Sequence, residues 1–324
     1  MRTFIAAALL ALTFSQAYGK DTYPDRPIRL VIAYAAGGPT DEVGRIYASK
    51  LSEYLGTPVI VDNRAGASGI IGTEIVAKAP ADGYTLLLGV ISTHALHPAL
   101  GRKLSYDAVR DFAPVALAVK VPMVIVVNPK VLPATNVKTL IKELKEHPGK
   151  YRFGSSGYGG ISHMCFELFK YRAGITDFTH VPYRGTGPAF TDLLGGHISA
   201  LCEGVGGAAG HIRAGTVRGI ATATLQRAHA LPELPTVSES GLPGFEAYTW
   251  NMFFAPRGTP PAIVQRLNTE INRVAKDPAI RKKLDRLGVE VVDDSTPASL
   301  QDFVPSEIKK WSAVVKAAGL KAND

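Results

Sequence analysis

Arg29-Leu30-Val31-Ile32-Ala33-Tyr34 runs directly into Ala35-Ala36-Gly37-Gly38-Pro39-Thr40-Asp41, and the reading of this stretch decides the fold. The first six residues form an apolar, β-branched run of strand length. The glycine pair makes a turn. Thr40 then reads as the cap of a helix whose apolar positions Val43, Ile46, Tyr47, Leu51 and Tyr54 share one face, and Gly56 stops it. The pattern returns at Tyr151-Arg152-Phe153, which enters Gly154-Ser155-Ser156-Gly157-Tyr158-Gly159-Gly160 and a second helix. Such a turn leaves free backbone N–H groups at the positive end of a helix dipole, which is a ready anion site. Two of them in one chain point to a small anion gripped between two lobes.

Outward from these turns, strands alternate with helices. Pro58 to Val61 is a strand, Asn63 to Gly69 a turn, and Tyr84 to Leu88 another strand that ends in Gly89-Val90-Ile91-Ser92-Thr93-His94. This alternation predicts mostly parallel sheets flanked by helices, with ligands bound beyond the carboxyl ends of the strands. The apolar strand Val124 to Val127, between Pro122 and Pro129, opens a second unit. That unit has a helix through Val137, Leu140, Ile141 and Leu144, strands at Thr179 to Tyr183 and His197 to Cys202, and a Pro- and Gly-rich passage from Leu231 to Gly244. The apolar stretch Tyr248 to Phe254 then leads the chain back, and helices at Pro261 to Val274 and Leu300 to Ala317 complete the first unit. The expected division is 1–19 as an export segment, 20–121 as the first part of one lobe, 122–247 as the other lobe, and 248–324 as the return. Two crossings would make a hinge.

Composition bounds the function. The 324 residues, with 46% hydrophobic and 20% charged, are enough for two ordinary α/β domains. Arg2, the apolar run Phe4 to Phe14 and the small residues of Ala17-Tyr18-Gly19 read as an export signal cleaved near Gly19. That run is shorter than the about 20 residues a membrane span needs. The mature chain is expected in the periplasm, soluble and monomeric. Its net charge of about +7 comes from basic residues scattered over helix faces, with no clustered stripe or known module, so nucleic-acid binding is not expected. Cys165 and Cys202 have no metal or redox spacing. An oxidising compartment permits a disulfide between them; two separate buried thiols are the alternative.

The candidate ligand residues follow from the turns. Tyr34, Gly37, Gly38, Thr40 and Asp41 come from the first, and Ser155, Ser156, Gly157, Tyr158 and Gly160 from the second. Ser92 and Thr93 come from the end of the third strand, and Glu203 from a strand end in the second unit. Neither glycine turn ends in Gly-Lys-Ser/Thr, so nucleotide phosphates are not the expected anion and no cofactor is implied. Asp41 either stabilises the helix start or accepts a hydrogen bond from a ligand donor. Ser155, Ser156 and His163 raise a serine hydrolase as a remote alternative, but Gly154-Ser155-Ser156-Gly157 misses the nucleophile-elbow spacing and His163 falls inside a helix with no acid partner evident by motif. His94-x-x-His97 is followed by Pro98 and has no evident third ligand, so no metal is expected. Tyr34, Tyr158 and Tyr183 stand at strand ends, where flat walls would suit an aromatic carboxylate.

These residues together resemble the Bug family, the extracytoplasmic solute receptors of tripartite tricarboxylate transporters. The matching stretches run through the whole mature chain: Tyr23-Pro24, Ala36-Gly37-Gly38 with Asp41, Asn63-Arg64, Pro80-Ala81-Asp82-Gly83-Tyr84, Asp111-Phe112-Ala113-Pro114, Gly154-Ser155 with Gly157 and His163, His180-Val181-Pro182-Tyr183, and Asp192-Leu193-Leu194-Gly195-Gly196. The resemblance implies a type II periplasmic-binding-protein fold and a small carboxylate, held by the two glycine turns with bound water. Dicarboxylates and aromatic carboxylates are the leading ligand classes, and the membrane subunits of a transporter are the implied partner. A sensor subunit that binds the same ligand is the alternative. Ile91 stands where the family often has Ser, and Cys202-Glu203-Gly204 where it often has Phe-Asp-Asn, so ligand choice is expected to be this chain's own.

Overall fold

The computed structural model describes residues 23–322, so the export signal expected at Met1–Gly19 lies outside the described residues. In chain order the elements begin with β1 (Ile28–Ile32), α1 (Pro39–Leu55), β2 (Val59–Asn63), α2 (Ile70–Ala77), β3 (Thr85–Val90) and α3 (His97–Ala99). The long strand β4 (Phe112–Val127) follows, then α4 (Val137–Glu146), β5 (Arg152–Ser155), α5 (Ile161–Ala173), β6 (Thr179–Pro182), α6 (Thr186–Gly195), β7 (Ala200–Gly204), α7 (Val205–Arg213) and β8 (Arg218–Thr222). The chain closes with β9 (Tyr248–Pro256), α8 (Pro261–Lys276), α9 (Pro278–Arg286), β10 (Glu290–Val291) and α10 (Phe303–Ala317). No described helix is long and apolar enough to cross a membrane.

The strand order is β2-β1-β3-β9-β4-β7-β5-β6, with β10 and β8 also paired to β4. Parallel pairing joins β1 to β2 and β3, and β5 to β6 and β7. The two strands in the middle of the order, β4 and β9, pair antiparallel with their neighbours. Parallel pairing thus holds for the outer βαβ units, where a helix returns the chain, and fails in the middle, where the chain doubles back without a crossover.

The sequence placed a strand start after Pro122; the strand instead begins at Phe112 and passes through Pro114 and Pro122. Register shifts accompany the first part, as expected for a strand carrying a residue that cannot donate. Pro122 marks a change of partners. Val121 and Pro122 pair with Thr249 and Tyr248 of β9, while Met123 and Val124 pair with Gly204 and Glu203 of β7. One strand therefore serves two sheet halves.

One large buried cluster runs through both halves, joining Val31, Leu87 and Phe254 to Ile125, Phe153 and Phe166, and each half adds a smaller one of its own. Ile28, Leu30, Ile32, Val43, Tyr47, Leu51, Leu267 and Ile271 pack around β1 and β3. Val124, Val126, Leu193, Leu201, Val205 and Ala208 pack around β7. Helix α1 buries Val43, Tyr47 and Leu51, the face its periodicity marked, and Gly56 ends it in the left-handed conformation at φ 66. Tyr47 keeps its hydroxyl satisfied by donating to Ala118 O at 3.1 Å, which makes full burial of a tyrosine tolerable. Cys165 on α5 and Cys202 on β7 form a disulfide, which settles the alternative left open by their spacing.

Candidate functional site: a cleft of helix N-termini

A cleft of about 380 Å³ opens where the two sheet halves meet. Part of its wall is made of residues at helix starts: Pro39 and Thr40 of α1, Ile161 and Ser162 of α5, Thr186 of α6, and Gly204, Gly206 and Gly207 at the start of α7. Those four helices share a local design. Their N-caps are Gly38, Gly160, Gly185 and Gly204, and none makes a side-chain capping hydrogen bond. By contrast, α4 and α9 are capped by the side chains of Asn136 and Asp277. Glycine caps leave the first N–H groups of the cleft helices without a side-chain acceptor, which suits them to an external anion. Thr40, read from sequence as the cap of α1, sits inside the first turn instead, because Pro39 already has helical geometry and Gly38 is the cap.

The first glycine turn is braced from below by Asp41. Its Oδ2 accepts from Gly37 N–H at 2.9 Å and from Arg45 Nε at 2.8 Å, and its Oδ1 accepts from Asn63 Nδ2 at 2.9 Å. Burial pushes this carboxyl up, but the Arg45 guanidinium, the Gly37 N–H and the Asn63 amide outweigh it and hold Asp41 below its ordinary value. Both oxygens are thus committed to the loop. Asp41 shapes the turn and is absent from the cleft wall.

The second glycine turn is braced by Ser155. Ser155 is fully buried; its Oγ donates to Gly157 O at 3.0 Å, accepts from Gly157 N–H at 3.1 Å, and lies 2.6 Å from His180 Nε2. His180 stacks on His163 with ring centroids 3.9 Å apart, and His163 Nδ1 accepts from Gly159 N–H at 3.1 Å. An acid does lie beside His163, for Glu167 one helical turn on is 3.6 Å from its Nε2. Burial pushes His163 down to about 3 and His180 down to about 4, so both rings are neutral at pH 7. The network holds the loop. Of the two serines in the turn, Ser156 reaches the cleft, and its hydroxyl pairs with that of Ser162, also in the wall, at 2.9 Å.

Of the sequence-predicted residues, Thr40, Ser156 and Glu203 fall in the cleft wall, with Gly38 and Gly160 as caps of helices that line it. Gly37 and Gly157 take positive φ in the two turns, at 81 and 138. Tyr34, Ser92, Thr93 and Tyr158 do not line it. The residues after β3 are wound into a π-helical turn, Ser92–Leu96, where the sequence suggested a loop. That turn buries Thr93 completely; its hydroxyl donates to Val90 O at 3.0 Å and pairs with His94 Nδ1 at 2.9 Å. Burial pushes the Tyr34 phenol up to about 12 against a hydrogen bond from Ser92. Tyr158 donates to Lys321 O at 3.0 Å and so ties the loop to the C-terminal segment. His94, the first histidine of the His-x-x-His pair, stacks on Phe254 with centroids 4.1 Å apart, as a core residue.

Several lining residues were missed: Glu42, Met123, Thr186, Thr249, Asn251, Arg286 and Leu287. Thr186 had a signal, since Gly185-Thr186 repeats the strand, glycine, helix pattern after Pro182. Thr249, Asn251 and Arg286 had none, because they reach the cleft from β9 and the end of α9 only through the tertiary fold. Glu203 is set apart by its partners. Its Oε1 accepts from Gly204 N–H at 2.9 Å, while Oε2 is shielded from water and has no hydrogen-bond partner. Burial pushes this carboxyl up to about 7, with the Gly204 N–H opposing.

Residues 43–320 match the family described as tripartite tricarboxylate transporter family receptor. BugT of Bordetella pertussis is 39% identical, over 98% of this chain and 96% of its own length. The protein Rpa4515 of Rhodopseudomonas palustris, solved with adipate, has a TM-score of 0.82 at 37% identity, covering 92% of this chain and 99% of that one. MatC of Rhodopseudomonas palustris, solved with bound malate, has a TM-score of 0.78 at 34% identity, covering 90% and 100%. The two glycine turns, the mixed two-part sheet and these matches along nearly the whole chain lead to one conclusion: this chain belongs to the tripartite tricarboxylate transporter receptor family, the Bug proteins.

Proposed function

We propose that this protein is a periplasmic solute receptor that captures a small dicarboxylate between two lobes and delivers it to the membrane subunits of a tripartite tricarboxylate-type transporter. The observation that carries the reading is the convergence of four helix N-termini, all glycine-capped and without side-chain caps, on one cleft. Backbone N–H groups and the dipoles of α1, α5, α6 and α7 supply the positive field, and among the described residues Arg286 is the one cationic side chain in the wall.

The lobes of this reading are 20–121 with 248–324, and 122–247. The change of partners at Pro122 and its pairing with Tyr248 support this division, since both chain crossings then lie side by side as a hinge. Binding is non-covalent. One carboxylate bridges the Gly37-Gly38 turn and the Ser156-Gly157 turn, and closure buries it. The apolar part of the wall is aliphatic, from Val43, Val121, Met123, Ile161, Leu287 and Val289, and among the described residues it includes no aromatic ring. This favours an aliphatic dicarboxylate over an aromatic one, as do the relatives solved with adipate and malate.

A thermal-shift screen of C4 to C8 dicarboxylates, benzoates and amino acids tests the reading. A ligand that binds only the folded state adds about 2.7 kcal/mol at a hundredfold excess over its Kd. A shift confined to dicarboxylates is expected. A screen in which no carboxylate raises the melting temperature would refute the receptor reading.

A further inference from the structure

Glu203 is an acid in the cleft wall with an unpartnered buried oxygen, and the carboxylate-receptor reading does not absorb its chemistry. It stands at the end of β7, opposite Val124 of β4, in a wall designed for an anion. An acid there repels the ligand unless something neutralises it. Its first oxygen is held by its own neighbour, Gly204 N–H, and its second has no partner. An ionised carboxylate with a buried, unpaired oxygen is costly, and the cheapest remedy is a proton.

Among the described residues no cation pairs with Glu203. Arg184, on the loop before α6, is exposed, and Glu203 makes no ion pair among the described residues. Arg286, at the end of α9, turns its Nε to Lys282 O at 3.2 Å. The cleft-facing parts of β4 and β9 bring Val121, Met123, Thr249 and Asn251, none of which is charged. Lys120 lies over the Tyr248 ring, in a separate pocket with Glu246 and Glu290. Helix α7 carries His211 and Arg213 only in its last turn. Helix α1 contributes Glu42, a like charge, and His163 of α5 is buried and neutral.

Resting on the receptor reading, we propose that Glu203 selects the ligand's far end: as a neutral acid whose shielded oxygen turns to the ligand as the lobes close, it donates a hydrogen bond to the second carboxylate of a dicarboxylate, so that capture is linked to proton binding. A second carboxylate brought beside Glu203 raises its proton affinity further, because two adjacent anions cannot share the site without a proton between them. The proton stays on the carboxylic acid and no bond is made or broken; the bound state carries one proton more than the free protein at high pH. Burial already pushes the Glu203 carboxyl up to about 7. Above pH 7 each ligand must therefore bring one proton with it, and apparent affinity falls by about tenfold per pH unit. An acid at this place excludes ligands that offer only a methyl group there, since its donor would then stay unpaired.

The test is calorimetry on the mature protein with succinate, glutarate, adipate and pimelate, their monomethyl esters, and hexanoate, at pH 6.5 and 8.5. Each titration is run in two buffers of different ionisation enthalpy, so that proton uptake is counted. The expected result is a dicarboxylate preference, a loss of more than tenfold in affinity between the two pH values, and uptake of nearly one proton at pH 8.5. Glu203→Gln keeps a donor but cannot titrate; it should bind the same dicarboxylate equally at both pH values with no proton uptake. Affinity that is flat or rising with pH in the wild type overturns the proposal, a rise being the mark of an ionised Glu203 accepting from a ligand donor. Dicarboxylates and hexanoate binding equally overturns it while leaving the receptor reading intact, whereas no binding by any carboxylate removes both. If Glu203→Gln fails to fold, the wild-type proton count decides alone.

Discussion

Gly206, in the first turn of α7, lies directly against Gly288 in the turn between α9 and β10, backbone to backbone beside the cleft. A Cβ on Gly288 would stand 2.7 Å from Gly206 N, and one on Gly206 would overlap Leu287 O. Gly288 also needs its left-handed backbone at φ 68. The obstructing atoms are main chain, so no rotamer change relieves them. If this contact is the seam along which the lobes close, a methyl group on Gly206 should hold them apart. Gly206→Ala is expected to lower dicarboxylate affinity at least tenfold while changing the ligand-free melting temperature little. A melting temperature that collapses along with binding would mean that the contact belongs to the permanent core.

Gly38 offers a cleaner probe of the anion grip than Gly157. Its backbone is extended at φ −87, open to any residue, and an added Cβ would meet only Ala35 O at 3.6 Å. Gly157, at φ 138, would be strained by any side chain. Gly38→Val should therefore fold normally and obstruct approach to the N–H groups of α1. Calorimetry should find binding reduced by a hundredfold or more. A folded variant with unchanged affinity would place the carboxylate elsewhere.

Acid should destabilise this protein well above the usual carboxylate range. Burial holds His94 and His163 at about 3, and His97 and His180 at about 4, against an ordinary value of 6.5. Below pH 6.5 the unfolded chain takes up protons that the folded chain refuses. Stability is full above 6.5 and is lost as pH falls toward the folded values, at up to about 1.4 kcal/mol per pH unit for each imidazole. Glu203 and Glu290, both raised by burial, act in the opposite sense over part of this window, two groups against four. Melting temperature should drop by several degrees between pH 7 and 5.5. His94→Phe, which keeps the stack on Phe254, should flatten that slope; an unchanged slope would rule out His94 as a contributor.

The disulfide closes a sequence separation of 37 and ties α5 to β7 one residue before Glu203. Loop-closure entropy for such a span is about 3 to 4 kcal/mol. Cys165→Ser with Cys202→Ser should lower the melting temperature accordingly, and should weaken discrimination between dicarboxylates and their monoesters because β7 loses its anchor. Unaltered discrimination in a less stable variant would confine the bridge to a role in stability.

Gly37-Gly38-Pro39 and Gly154 to Gly160 were legible as anion turns because glycine, proline and the hydrophobic periods of strand and helix act through neighbours in the chain. The same local rules gave the helix face of α1, its stop at Gly56 and the alternation that fixes an α/β fold. They also mark a family whose motifs recur in order. What they could not give was the partner of each strand and the far side of each side chain. Pro122 read as a boundary, yet β4 runs through it, because pairing with β9 and then β7 outweighs the missing N–H. Thr93 read as a ligand contact, yet the π-helical turn after β3 buries it. Arg286, Asn251 and Thr249 enter the cleft from segments distant in sequence, where no local pattern announces them. Glu203 was visible as an acid near an anion. That its second oxygen lacks a partner, and that no cation among the described residues pairs with it, are facts of tertiary packing, because a charge's cost depends on what surrounds it in space and not on its neighbours in the chain.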